Sequence, residues 1–215
     1  MNPERRLTSL TAFYFGRRVA SAPHSDETIR SVCWPAYRDV QRTLWGMGSH
    51  PRAKELKATS CDKIVSFVHS FGGIRSQDEF DQQHQVWCED LVAFFAENPH
   101  PERPTFQFHY GHAQKWLNMT LKYLSVLGHP AVEEVYVFLH APIDRDVYER
   151  AWEILGVERP RIAWSKLDGD TYRSYQLNIR HAVAGQGRGF VLDWETDEWM
   201  EAKRFSRHSL SEGHS

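Results

Sequence analysis

The sequence predicts a mainly α-helical protein, with room for a short strand segment. Three observations point there. Apolar residues recur at helical spacing in successive segments, those segments open on Ser or Asp, and they close at Gly or Pro.

Ser25 to Trp45 reads as the first helix. Ser25 is its N-cap, Asp26 and Glu27 follow in the first turn, and Ile29, Val32, Cys33, Tyr37, Val40 and Leu44 keep one face. Pro35 should kink or restart it, because proline lacks a backbone N–H and crowds the preceding turn. Ser60 to Phe71 is a second helix, closed by Gly72 and Gly73. A third starts at Ser76, which has capping-box spacing to Glu79, and runs through Trp87, Leu91 and Phe94 to Asn98-Pro99. Asn98 to Pro104, NPHPERP, is a connector that no helix can cross.

After the connector come FHYGHAQKWLNMTLKYL (Phe108 to Leu124), a break at Gly128-Pro130 and the run VEEVYVFL, whose period leaves helix and strand open. A turn at Ala141-Pro142 leads into a helix from Asp144 to Leu155. Another runs from Asp170 to Ala184, with Asp168 or Asp170 as its cap and GQGRG as its end. Phe190 to Arg204, carrying Trp194 and Trp199, reads as a short strand or helix, and 206–215 as a polar, disordered tail. The expected organisation is one helical domain over 1–205, with a helical N-terminal part at 25–98 and a second part at 106–184.

With 215 residues, 41% hydrophobic and 13% aromatic, the chain can bury a sizeable core. No apolar run approaches the roughly 18 residues of a membrane span. The start, MNPERRL, lacks the apolar centre of a signal peptide, so a cytoplasmic protein with no membrane partner is expected. Cys33, Cys61 and Cys88 stand far apart in apolar patterns and read as buried free thiols. His100, His109, His112 and His140 have neither helical i, i+4 spacing nor a cysteine pair beside them, so no metal is expected.

The formal charge of −2 conceals an asymmetry. Ser76 to Glu102 holds seven acids and no Lys or Arg, whereas Arg159 to Arg188 holds six bases against Asp168 and Asp170. Two solvated helix faces or an anion-binding face would both account for it.

Within the stretch from Phe108, Gly111 stands where a helix would begin near His112. A glycine there lets backbone N–H groups point outward at a helix N-terminus, a setting suited to phosphate. Leu117, Leu121 and Leu124 give one buried stripe, and Lys115 falls in the first turn. The helix dipole there favours the uncharged amine, which is a nucleophile.

YGHAQKWLNMTLKYL resembles the hairpin and second helix of the helix-hairpin-helix DNA glycosylases, whose hairpin reads Gly, any residue, Gly, any residue, Lys. Gly111 matches the first glycine, Ala113 replaces the second, and Lys115 matches the catalytic lysine. PIDRDVYERAWEIL resembles the segment in which an aspartate followed by a helix completes the active site, and Asp144 stands at that place. RIAWSKLDGDTYRSYQLNIR is similar to the archaeal-type 8-oxoguanine DNA glycosylases, with Trp164 in the loop and Tyr172 on the helix that follows. The likeness spans Phe106 to Ala184, and Lys115 and Asp144 lie further apart in the chain than is usual in the family.

The resemblance implies a compact multi-helix fold, DNA as partner, no cofactor, and excision of a damaged or modified base with strand cleavage as a possible second step. Lys115 would be the nucleophile and Asp144 the carboxylate that stabilises the sugar cation. Gly111, His112, Ala113, Gln114, Arg145, Arg173 and Arg180 would hold the strand, and Trp116, Trp164 and Tyr172 would line the base pocket. The base could be oxidised guanine, another lesion, or a modified base such as viral genomes carry. Simpler roles stand beside these: Lys115 as a solvated helix lysine, Asp144 as an N-cap alone, Trp116 and Tyr172 as core. Two other functions compete. Arg103 and His109 in RPTFQFH have the spacing of HEPN-type RNases, and the hairpin could serve a non-catalytic DNA-binding module.

Overall fold

The computed structural model describes residues 2–208, and every regular element among them is helical. Residues 3–21, unassigned from sequence, form α1 (Pro3–Phe15) and α2 (Arg17–Ser21), separated by Gly16 at φ 94°. Asn2 caps α1 by accepting from the Arg5 amide at 2.8 Å, and Pro3 occupies the first helical position, where a missing N–H costs nothing.

Helix α3 (Asp26–Gln41) runs through Pro35 without the expected restart. Its buried face of Ile29, Val32, Cys33, Ala36, Tyr37 and Val40 packs against a later helix, and that packing outweighs one lost hydrogen bond. Helix α4 (Ala53–His69) begins earlier than its apolar spacing suggested, with Leu56 already buried, and ends in a 3-10 turn, Ser70–Gly73. In α5 (Gln77–Ala96) the Ser76 hydroxyl accepts from the Glu79 amide at 3.3 Å. The Glu79 carboxylate reaches back to the Arg75 amide at 2.6 Å.

Helix α6 (Tyr110–Val126) occupies the centre. The ambiguous run after it resolves into α7 (Pro130–Glu133) and a 3-10 turn, Tyr136–Phe138. Helices α8 (Arg145–Leu155) and α9 (Gly169–Gly185) follow, the latter capped by Asp168, whose carboxylate accepts from the Thr171 amide at 2.8 Å. The tryptophan-bearing tail segment is helical, as α10 (Val191–His208), so 206–208 continue a helix; the remainder of the expected tail lies outside the described residues.

One contiguous core extends from Ile29 to Trp194. Helix α3 packs most extensively on α6, with α5 and the 3-10 turn Trp164–Lys166 on other sides. As a result α6 is buried all round: every residue from Tyr110 to Asn118 is shielded from solvent, not only the leucine stripe. Polar side chains on this helix must therefore find partners inside the protein. Cys33, Cys61 and Cys88 are buried and free. No helix among the described residues is long and apolar enough to cross a membrane.

Candidate active site

The segment from Phe138 to Asp144 has no strand partner, and four of its carbonyls are held by side-chain donors instead. Side chains satisfy them from three helices. Gln77 donates to Phe138 O (2.9 Å), Gln176 to Ala141 O (2.6 Å), Lys115 to Pro142 O (3.0 Å) and Gln114 to Ile143 O (2.8 Å). Gln114 also accepts from the Ile143 amide at 3.1 Å, so one carboxamide grips both backbone groups of the residue before Asp144. This fixes the place from which α8 starts.

Asp144 is the N-cap of α8, one carboxylate oxygen accepting from the Val147 amide at 2.9 Å. Its other oxygen meets Lys115 Nζ at 2.7 Å. The two side chains are unequally wet, 5% exposed for Lys115 and 29% for Asp144. The amine is thus enclosed, while the carboxylate faces a narrow cleft.

That cleft lies between the start of α8 and one side of α10. Asp144, Asp146, Val147 and Arg150 form one wall, and Trp194, Glu195, Glu198 and Trp199 the other. Its volume is about 20 Å³, room for one water. Lys122 lies two turns along α6 from Lys115 on the same face and pairs with Glu195, with the Trp199 ring 5.7 Å from its ammonium. Glu198 collects Arg150 and, at 2.8 Å, Arg188. The Trp194 indole N–H is buried at this wall without a partner among the described residues.

Behind the pair runs a closed chain of polar groups. Asp81 bonds His140 Nε2 (2.7 Å), and His140 Nδ1 bonds the Tyr172 hydroxyl (2.9 Å). That hydroxyl accepts from Asn118 (2.8 Å) and Gln176 (3.1 Å), and Asn118 Oδ1 meets His84 Nε2 at 3.0 Å. One assignment satisfies all of them: Tyr172 donates to His140 Nδ1, and Nε2 of each histidine carries a proton. Burial pushes the Asp81 carboxyl up, but its bonds from His140 and Gln77 and the nearby Arg180 guanidinium prevail and hold it well below the carboxylate range. Burial pulls the His84 and His140 pKa values down and drives that of Tyr172 up.

A scan of family models, curated proteins and solved structures finds no match to this chain.

Lys115 and Asp144 are brought together. The phosphate-holding turn is not formed, and this corrects the reading of Gly111, His112, Ala113 and Gln114 as strand contacts. Gly111 is the second residue of α6 and has no positive φ. Its lack of a side chain serves packing, since a Cβ would stand 2.0 Å from Trp164 O. The amides of Gly111, His112 and Ala113 are taken by Leu167 O and His109 O. His112 is buried, accepts from the His109 amide at 3.0 Å, and is pulled down to a pKa of about 4 by burial and by His109. Ala113 is fully buried, and Gln114 serves the backbone of Ile143.

Two aromatic assignments also change. Trp116 is core, with its ring 5.1 Å from Tyr37 and its indole N–H on Cys33 O at 3.0 Å. Tyr172 is core as well, its hydroxyl fully engaged in the polar chain. Trp164 is half-buried beside His112. Of the arginines, Arg145 is exposed in the first turn of α8, Arg173 is exposed and pairs with Asp170 at 3.1 Å, and Arg180 is held inward on Asp81 at 3.2 Å. Arg103 lies in the connector and His109 caps α6, so the pair does not share a helix as the RNase motif requires. Among the described residues no three His, Cys, Asp or Glu side chains gather as metal ligands.

Sequence reasoning overlooked Lys122, Asn118, Gln176, Glu195 and Glu198 as parts of this region. The seven-residue step from Lys115 to Lys122, and the i, i+4 pairs Glu195/Trp199 and Trp194/Glu198, were signals available to it.

Proposed function

We propose that the chain is a DNA N-glycosylase that acts on a nucleotide turned out of the duplex. The observation that supports this reading is the 2.7 Å contact of Lys115 with an aspartate at a helix N-terminus, at the foot of a cleft walled by tryptophans. Loss of a base leaves positive charge on the sugar. Asp144, pinned by the Val147 amide, would lie beside the anomeric carbon and stabilise that charge. The departing base takes the bonding electrons and accepts a proton from the Lys115 ammonium. The freed amine then bonds to the same carbon, giving a covalent lysine–sugar intermediate from which the strand can be cut.

Strand contacts are assigned to the exposed Arg145 and to the cations beside the cleft, Lys122, Arg150 and Arg188, rather than to amides of a hairpin. A flipped base needs more than the volume of one water, so the wall formed by Trp199 has to swing outward as the nucleotide enters. The extrusion itself costs a few kcal/mol.

The burial of Lys115 favours a second reading, in which the protein binds DNA without chemistry and the pair is a strut between α6 and α8. Borohydride trapping separates the two. On a panel of duplexes with oxidised, alkylated, deaminated and hypermodified bases, the first reading predicts a covalent adduct lost in Lys115→Gln and weakened in Asp144→Asn, with folding checked by circular dichroism. Absence of any adduct and of any base release across the panel would falsify it.

A further inference from the structure

Helix α1 packs on α2 and, through Phe15 against Tyr123 with ring centroids 5.5 Å apart, on α6. Its other face is apolar and open: Leu7, Leu10, Phe13 and Tyr14 are 64%, 54%, 84% and 77% exposed. Steps of three and four residues place them on one side of the helix. A protein that stayed alone in water would gain nothing from this grouping. The charge around it is mostly positive, since residues 3–21 hold four arginines against Glu4. Arg5, Arg6 and Arg17 are exposed and make no ion pair among the described residues, and Arg18 makes only a surface contact with Glu27 at 3.3 Å. Next to the end of the helix an open hollow of about 520 Å³ is lined by Arg17, Arg18, Ser21, Ala22, Ser25 and Glu27.

The occupant has to be apolar and anionic together. A second copy is disfavoured by charge, since it would bring two segments of net positive charge together. A nucleic acid would satisfy the arginines and stack on Phe13 and Tyr14 but leave Leu7 and Leu10 in water. An anionic lipid surface satisfies both requirements. We propose that α1 is an adsorption helix for such a surface. Its four apolar side chains enter the acyl boundary, Arg5, Arg6 and Arg17 lie among the headgroup phosphates, and the hollow at Arg17 and Arg18 receives one of them. Lying on a bilayer requires no spanning helix, and the inference is independent of the proposed base excision.

The test is co-sedimentation of the full chain with vesicles of phosphatidylcholine alone and of phosphatidylcholine with about one third phosphatidylglycerol. Binding to the anionic vesicles only is expected, with a decrease on adding salt. Arg5→Glu/Arg6→Glu should lower it by roughly 20-fold, and Leu10→Glu/Phe13→Glu should abolish it without changing the melting temperature. No binding to either vesicle overturns the proposal. So does equal loss of binding and of folding in both variants, a dimer by light scattering that Leu10→Glu/Phe13→Glu dissolves, or DNA binding that depends on the same residues.

Discussion

The unequal exposure of Lys115 and Asp144 yields a quantitative prediction. Asp144→Asn keeps the N-cap, because asparagine can still accept from the Val147 amide, but it leaves the Lys115 ammonium without its counter-charge at a side chain only 5% exposed. Stranding a buried charge costs about 3 kcal/mol, the low end for such pairs because the pair opens to solvent at Asp144. Lys115→Met strands the carboxylate instead, which is 29% exposed and can recruit water, so the cost should be smaller, about 2 kcal/mol. Urea unfolding of the wild type, both single variants and Lys115→Met/Asp144→Asn closes a double-mutant cycle. The expected coupling is about 2 kcal/mol, and the melting temperature of Asp144→Asn should fall by roughly 6–12 °C for a chain of this size. A coupling under about 0.5 kcal/mol, or a greater loss for Lys115→Met than for Asp144→Asn, would show that the contact does not hold α8 to α6.

Gly111→Ala should destabilise by at least about 2 kcal/mol in thermal melts, because its Cβ would lie 2.0 Å from Trp164 O and the backbone there has to shift. Gln114→Leu, similar in size, leaves both backbone groups of Ile143 unpartnered and should cost about 2–4 kcal/mol, with faster amide exchange at Ile143 and Val147. Stability should also fall on acidification. The folded His112 has its pKa lowered to about 4, so the unfolded chain, with a histidine near 6.5, binds the proton first. Its contribution is complete above about pH 6.5 and is lost as pH drops toward 4, at most about 3 kcal/mol. His84 and His140 act in the same direction, and His112→Asn should flatten the pH dependence of the urea midpoint without removing it.

Local signals located most helices because each is read from neighbours in the chain. Ser25, Ser76 and Asp144 cap where their spacing placed them, and the Asn98 to Pro104 connector interrupts the helices. Where local signals failed, tertiary packing had overridden them. Pro35 sits inside an unbroken helix because α6 holds that face, and Gly111 reads as a turn glycine but is a contact point for a loop some fifty residues later. Trp116 and Tyr172 showed the same limit, since an aromatic suited to a base pocket is equally suited to a core.

For this protein the sequence by itself determined that the chain is helical, where most helices begin and end, and that one lysine and one aspartate were worth watching. Those are properties of spacing and of residue chemistry, which neighbours within a few turns decide. Only the tertiary structure decided that Lys115 meets Asp144 across 2.7 Å, that Gln114 grips Ile143, and that α10 closes the cleft with its glutamates on Lys122, Arg150 and Arg188. Each joins positions far apart in the chain. The physical reason is the burial of α6 on every side: its polar groups are cut off from water, and their partners are whatever the fold brings against them.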